Sequence, residues 1–265
     1  MDYSNISVTA KNAYQSYVLH RLRFTAKEAL ECGYCEAEVM HLLANCVRGG
    51  FNFVFCGEPG QGKTEAAKFF SSFIPPHEKV ITVEDLREWH YHEIHPQNDC
   101  IEFKVSDSKD YGRAIAVALR LNPKWIMIAE TRSREVRYLL ESWSNGVNCM
   151  TTLHVDDGRK IPDRILNMLE SRQDADRLVN QIYSDVGIGV LLKEQEIQED
   201  RTIHQIRQVC LYYREEEKNG CILLVENGIL RDTRMPESLR SQIQERCGQK
   251  DIYSNPQVKQ MLEEA

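Results

Sequence analysis

The sequence predicts an α/β fold built on a mostly parallel sheet, with a short helical segment before it and antiparallel strands plus a helical tail after it. Three observations carry this expectation. From Phe51 onwards, short apolar runs alternate with longer amphipathic stretches. A glycine-rich turn, Gly57 to Thr64, joins the first apolar run to the first such stretch. Beyond Ser184 the runs Ile188 to Leu192, Thr202 to Tyr213 and Cys221 to Glu226 are separated by charged, turn-like segments, as in a hairpin.

The elements follow in order. Residues 12 to 48 read as helical, and Val39, Met40, Leu42, Leu43 and Val47 suit one helix face. Gly49-Gly50 ends that unit. The strand Phe51 to Cys56 leads to a helix from Gly62, and Val80 to Val83 forms a second strand. Ile101 to Val105 precedes a helix from Tyr111 to Leu121, Trp125 to Ala129 a helix from Arg134, and Val147 to Leu153 a helix from Arg159. Gln173 to Ser184 reads as helical, and Glu215 to Gly220 as a turn. The predicted division is a helical segment over 1–48, an α/β domain with its antiparallel strands over 49–230, and a tail over 231–265.

Composition narrows the function classes. A chain of 265 residues with 42% hydrophobic residues buries a real core. Its net charge of −7 gives no general footprint for nucleic acid, so no direct nucleic-acid contact is expected. The N-terminus lacks a basic start followed by an apolar block, so no signal peptide is expected, and no apolar run approaches the length of a membrane span. Nine cysteines in such a chain read as free thiols in a reducing cytoplasm. Cys32-Gly-Tyr-Cys35 has metal or redox spacing, but no second pair completes four ligands, and packing is the expected role.

The chemistry is expected at successive strand ends. Gly57-Glu58-Pro59-Gly60-Gln61-Gly62-Lys63-Thr64 follows a strand and opens a helix through Glu65, which is the context a phosphate-binding loop requires. Its N–H groups and helix N-terminus face the phosphates of ATP, Lys63 reaches the terminal phosphates, and the Thr64 hydroxyl ligates Mg2+. The second run ends in Glu84-Asp85, at the edge where ligands bind in open α/β sheets; a solvated strand end is the competing reading. The third ends in Glu130, followed by Thr131-Arg132, and places an acid where it orients the waters of a metal or accepts a proton from water. The fourth ends in His154, placed to sense the terminal phosphate.

In this order the residues resemble the secretion ATPase superfamily of type II and type IV secretion and of pilus assembly. Glu84-Asp85 is similar to its Asp box, Ala129-Glu130-Thr131-Arg132 to its Walker B, and Thr152-Leu153-His154 to its His box. Ile74-Pro75-Pro76, His95-Pro96, and Ala118-Leu119-Arg120 with Pro123 resemble the tight-adherence pilus (CpaF-like) and type IV secretion branch. The resemblance implies a RecA-like core working as a homo-hexamer, with ATP between subunits and hydrolysis driving a membrane-embedded platform protein from the cytoplasmic face. It implies Glu130 as catalytic glutamate, Glu84 as an acid near Mg2+ and water, His154 as a phosphate contact, and Arg132 as a companion of Glu130. For an arginine given by a neighbouring subunit the candidates are Arg21, Arg23, Arg48, Arg113 and Arg120, with Arg120 first because it matches the family's Leu-Arg.

The sequence departs from the family pattern in places. Ala129 replaces a glycine, Ser133 a Gly or Asp, and Leu86 a proline. Only 48 residues precede Gly49, where relatives carry a folded N-terminal domain, so a reduced domain is expected and the ring geometry is open. Besides a motor, the sequence allows an ATP-binding scaffold with little turnover; a nucleic-acid motor on the same core is disfavoured by the acidic charge.

Overall fold

The structure, a computed structural model, describes residues 25–106, 110–131, 135–169, 175–198 and 201–264, without the side chains of 197, 198, 201 and 202. The predicted helical stretch before Thr25, with Arg21 and Arg23, and also Arg132 and Ser133, lie outside the described residues.

A capping box starts the first helix, α1 (Ala26–Glu31): the Thr25 hydroxyl accepts from the Glu28 N–H, and the Glu28 carboxylate accepts from the Thr25 N–H at 2.7 Å. α2 (Ala37–Arg48) buries the predicted apolar positions and also Ala44, Asn45 and Cys46, so it is covered nearly all round, and it stops at Gly49. The core then reads β1 (Phe53–Cys56), α3 (Lys63–Ser71), β2 (Val80–Glu84), the short α4 (Tyr91–Ile94), β3 (Cys100–Lys104), α5 (Asp110–Arg120), β4 (Trp125–Ile128), α6 (Val136–Ser144) and β5 (Asn148–Leu153). A 3-10 turn (Gly158–Lys160) precedes α7 (Ile161–Met168), which has Pro162 in its first turn where no N–H partner is needed. α8 (Ala175–Asp185), β6 (Ile188–Gln198), β7 (Arg201–Glu215), β8 (Lys218–Glu226), β9 (Ile229–Leu230), α9 (Glu237–Cys247) and α10 (Pro256–Glu263) complete the chain.

One nine-stranded sheet holds these strands in the order β3-β2-β4-β5-β1-β6-β7-β8-β9. The first six are mutually parallel, and β7 to β9 run antiparallel. Period-two alternation sends Phe53, Phe55, Trp125 and Met127 to one face, with α1, α2, α3, α9 and α10, and Val54, Cys56, Ile126 and Ile128 to the other, with α5 to α8. Both faces being covered explains the apolar runs of the predicted strands. On the first face Phe53, Phe55 and Phe70 stack in sequence, 5.8 and 6.1 Å between ring centres, and fix α3 against β1.

Two expectations change in the antiparallel part. β6 runs on to Gln198, well past the predicted end at Leu192, because residues 193–196 pair with β7 as an exposed hairpin arm that needs no apolar pattern. The turn expected over Glu215 to Gly220 shrinks to Glu216-Glu217, both at positive φ, with Glu215 paired to Lys218. Gly220 belongs to the strand instead: a Cβ there would lie 2.3 Å from the ring of its cross-strand partner Tyr213.

Candidate active site

Because β1, β2, β4 and β5 are parallel and adjacent in the sheet, their carboxyl ends open on one edge. That edge collects the loop Gly57 to Thr64 after β1, Glu84 at the end of β2, Glu130 beyond β4, and His154 directly after β5. Thr131 ties the last two together: its N–H donates to Thr152 O at 2.9 Å and its hydroxyl meets that of Thr151 at 2.7 Å.

The loop is shaped as a cradle. Gly57, Gly60 and Gly62 all have positive φ, and a Cβ on Gly57 would lie 2.5 Å from Leu192 O, so the β6 backbone closes one side. A Cβ on Gly60 would meet nothing within 4 Å, and Glu58, Pro59 and Gly60 are exposed, which leaves the crown of the loop open to a ligand. The hairpin braces the rim: Gln61 Oε1 accepts from the Glu194 N–H, and His204 stands over Gly62. Glu65, predicted to help bind nucleotide, turns its side chain to the buried Lys68 ammonium at 3.1 Å, so only its backbone remains for a ligand.

Lys63 is nearly buried, and its ammonium donates to Gly57 O at 3.0 Å and Glu58 O at 2.9 Å. Burial lowers its pKa from the ordinary value, and the nearby Glu130 carboxylate works against that. Nζ also lies 3.4 Å from His154 Nδ1, while His154 Nε2 lies 2.7 Å from Glu130 Oε1. An ammonium has no lone pair, so Nδ1 must accept and Nε2–H must donate to the carboxylate. The result is a continuous line from Lys63 through His154 to Glu130.

Thr64 reveals an acid that strand-end reasoning missed. Its hydroxyl donates to Glu88 Oε2 at 3.3 Å. Glu84, the predicted acid, is 2% exposed and points elsewhere: its Oε2 accepts from the N–H groups of Glu88 at 2.7 Å and Trp89 at 3.0 Å, and Thr82 donates to Oε1 at 3.4 Å. Glu84 therefore folds the 84–89 turn, and the turn delivers Glu88. The spacing of four residues after Glu84 was the available signal, but a loop acid carries no periodic pattern to mark it. Burial raises both carboxyls above the ordinary range, partly offset by the two N–H bonds at Glu84 and the Thr64 hydroxyl at Glu88.

The site's donor set fits a nucleotide triphosphate with Mg2+: open loop N–H groups, a buried ammonium, and a hydroxyl paired with a carboxylate. Residues 15–257 match the family model described as "Type II/IV secretion system protein". The chain belongs to that family. An uncharacterized protein of Bacillus anthracis is 30% identical over 181 residues, which is 66% of this chain and 41% of that protein. VirB11 of Agrobacterium fabrum is 29% identical over 134 residues, covering 48% of this chain and 38% of VirB11. The chain thus spans less than half the length of these relatives. Among solved structures, the VirB11 ATPase of the Brucella suis type IV secretion system, in complex with sulphate, superposes with TM-score 0.57 at 22% identity, over 80% of this chain and 64% of that one. The pilus retraction motor PilT with bound ADP gives 0.54 at 19%, over 70% and 50%. Both show the same fold, a mostly parallel sheet continued by antiparallel strands.

Within this secretion-family fold the predicted arginines separate. Arg120 is exposed and ends α5, next to Leu121, whose carbonyl accepts from Lys79 at the start of β2. It therefore lies at the opposite edge of the sheet from the phosphate loop of its own chain. Arg113, also exposed, lies in the first turn of α5, nearer the loop edge. Arg48 is half-buried at the end of α2. Among the described residues no helix is long and apolar enough to cross a membrane.

Proposed function

We propose that this chain is the ATP-hydrolysing motor of a bacterial secretion or pilus-assembly machine, on the tight-adherence pilus and type IV secretion branch. It works as a homo-hexamer with the nucleotide at subunit boundaries, held at the inner face of the membrane by an integral-membrane platform protein. The observation that carries the reading is the line Lys63–His154–Glu130 beside the Thr64–Glu88 pair at one sheet edge.

In this reading the loop from Gly57 to Thr64 and the N–H of Glu65 hold the ATP phosphates, and Lys63 leaves its loop carbonyls to pair with them. The Thr64 hydroxyl and Glu88 would hold Mg2+, which would supply charge neutralisation for the terminal phosphates. Glu130 is the general base that takes the proton of the attacking water. His154 holds its carboxylate through Nε2–H and links its position to that of Lys63. Glu84 is a positioning residue for Glu88, Arg132 accompanies Glu130, and Arg120 reaches a nucleotide only from a neighbouring subunit.

The test is steady-state ATP turnover. Purified protein hydrolyses ATP with Mg2+ and stops on chelation. Lys63→Ala and Glu130→Gln each lower turnover by roughly 10²–10⁴-fold. Unchanged turnover in Lys63→Ala sinks the assignment, and tight ATP binding with negligible turnover in the parent chain turns it into a nucleotide-dependent scaffold.

A further inference from the structure

The β6–β7 hairpin holds one ring at the phosphate loop that no step of the proposed hydrolysis uses. β7 runs antiparallel to β6 with His204 opposite Glu194, and successive side chains of β7 point to opposite sides. On one side Ile203 and Gln205 meet the turn between α1 and α2. Gln205 Nε2 donates to Gly33 O at 3.2 Å, and a Cβ built on Gly33 would lie 3.8 Å from Ile203 Cδ1. The Ile206 N–H donates to Tyr34 O at 2.9 Å, so backbone ties the arm to the same turn. His204, between Ile203 and Gln205, faces the other way, over Gly62.

The direction of the ring is set. A Cβ built on Gly62 would lie 2.9 Å from His204 Nδ1, 3.5 Å from Cγ and 3.6 Å from Cε1, so the Nδ1 edge points at the loop. Gly62 is the cap residue of α3, where the first helix N–H groups and the positive end of the helix gather an anion. His204 is half-buried, and its ring has no hydrogen bond or ion pair among the described residues. Sheet order tells which part of a nucleotide the ring meets. His154, Glu130 and Glu88 lie beyond the ends of β5, β4 and β2, all on one side of β1, and they serve the terminal phosphate in the motor reading, on which this inference rests. β6 and β7 lie on the other side of β1, so His204 reaches the flank of the loop away from that phosphate.

We propose that His204 is a nucleotide-binding residue, its Nδ1–H donating to the inner phosphates that ATP and ADP share. A neutral imidazole carries its one hydrogen on either nitrogen, and a phosphate oxygen within reach of Nδ1 selects the tautomer that donates there. The acceptor is ionised, which strengthens the bond, and the anchored arm sets the donor in place before the nucleotide arrives.

The experiment is titration calorimetry of the full chain with ADP and with the nonhydrolysable ATP analogue AMP-PNP, each with Mg2+. His204→Phe keeps a ring over Gly62 but removes the donor, and is expected to weaken both nucleotides about tenfold. His204→Asn puts an amide nitrogen two bonds from Cβ, as Nδ1 is, and is expected to recover most of that loss. His204→Ala lacks the donor without adding bulk and carries the same expectation as His204→Phe. A ring that merely packs gives the opposite order, with affinity kept in His204→Phe and lost in His204→Asn, and that result overturns the proposal. So does a loss confined to AMP-PNP, which would put the contact at the terminal phosphate. A parent chain that binds neither nucleotide overturns the motor reading and this contact with it, whereas equal affinities in a binding parent and all three variants overturn the contact alone.

Discussion

At the scale of single residues, Glu84 and Glu88 divide one task. Glu84 is buried under two backbone N–H bonds, and Glu88 faces the Thr64 hydroxyl. Glu88→Gln is expected to raise the Mg2+ concentration for half-maximal turnover by about 10–100-fold while leaving thermal stability nearly unchanged. Glu84→Gln is expected to do the reverse in part, lowering stability by about 1–3 kcal/mol because two buried N–H groups lose a charged acceptor. Mg2+ titrations of turnover beside thermal melts distinguish them; equal effects of both variants on Mg2+ dependence contradict the division.

His95 gives a pH dependence with a defined sign. Burial alone holds its pKa down from 6.5 to about 4. Between those values the unfolded chain binds a proton that the folded chain refuses, so stability falls as pH drops from 6.5 towards 4. The loss is about 1–2 kcal/mol once the partial exposure of the ring is allowed for. Urea midpoints of the parent and of His95→Gln, measured across that window, check it: the variant's slope with pH is shallower.

At the scale of elements, the β7–β8 turn is strained. Glu216 and Glu217 sit at φ 48° and 62°, a region that side chains other than Asn and Gly resist. Replacing the pair with Asn-Gly is expected to stabilise the fold by about 1 kcal/mol, read as a higher urea midpoint with unchanged turnover. The β6–β7 hairpin has a different place. It packs Leu192, Glu194 and His204 against Gly57, Gln61 and Gly62, so the rim of the phosphate loop is set by strands that follow it by more than a hundred residues.

At the scale of the whole molecule, the tail closes onto α2. Asn45 Nδ2 donates to Ile252 O at 2.7 Å and Ser254 O at 3.1 Å, Asn255 Nδ2 donates to Asn45 Oδ1 at 2.7 Å, and Asn255 N–H donates to His41 Nδ1. Ile243, Ile252 and Val258 are buried in the same apolar layer as α2 and α3. Asn45→Ala removes three hydrogen bonds at once, two of them buried, and is expected to cost about 2–4 kcal/mol. The midpoint should fall in chemical unfolding while a single cooperative transition is kept; a separate early transition would show instead that the tail melts alone.

Much of the fold was legible because its signals are local. Four apolar runs, each buried on both faces, marked the strands, and Gly57 to Thr64 carried its own turn chemistry. The acids and the histidine at strand ends could be placed on one edge as soon as the strands were read as parallel. Less legible was anything set by pairing. Residues 193–198 of β6 carry no apolar pattern because that arm is solvated, and Gly220 resembles a turn residue although it makes room for Tyr213.

The sequence by itself determined the strand–loop–helix context of Gly57 to Thr64, the parallel strands that end near Glu84, Glu130 and His154, and the family those motifs point to. Only the tertiary structure decided which acid faces Thr64 and that His154 joins Lys63 to Glu130. The physical reason is range. Periodicity and turn chemistry act between near neighbours in the chain, whereas a side chain's direction and partners depend on which strands lie side by side and on what burial leaves unpaired.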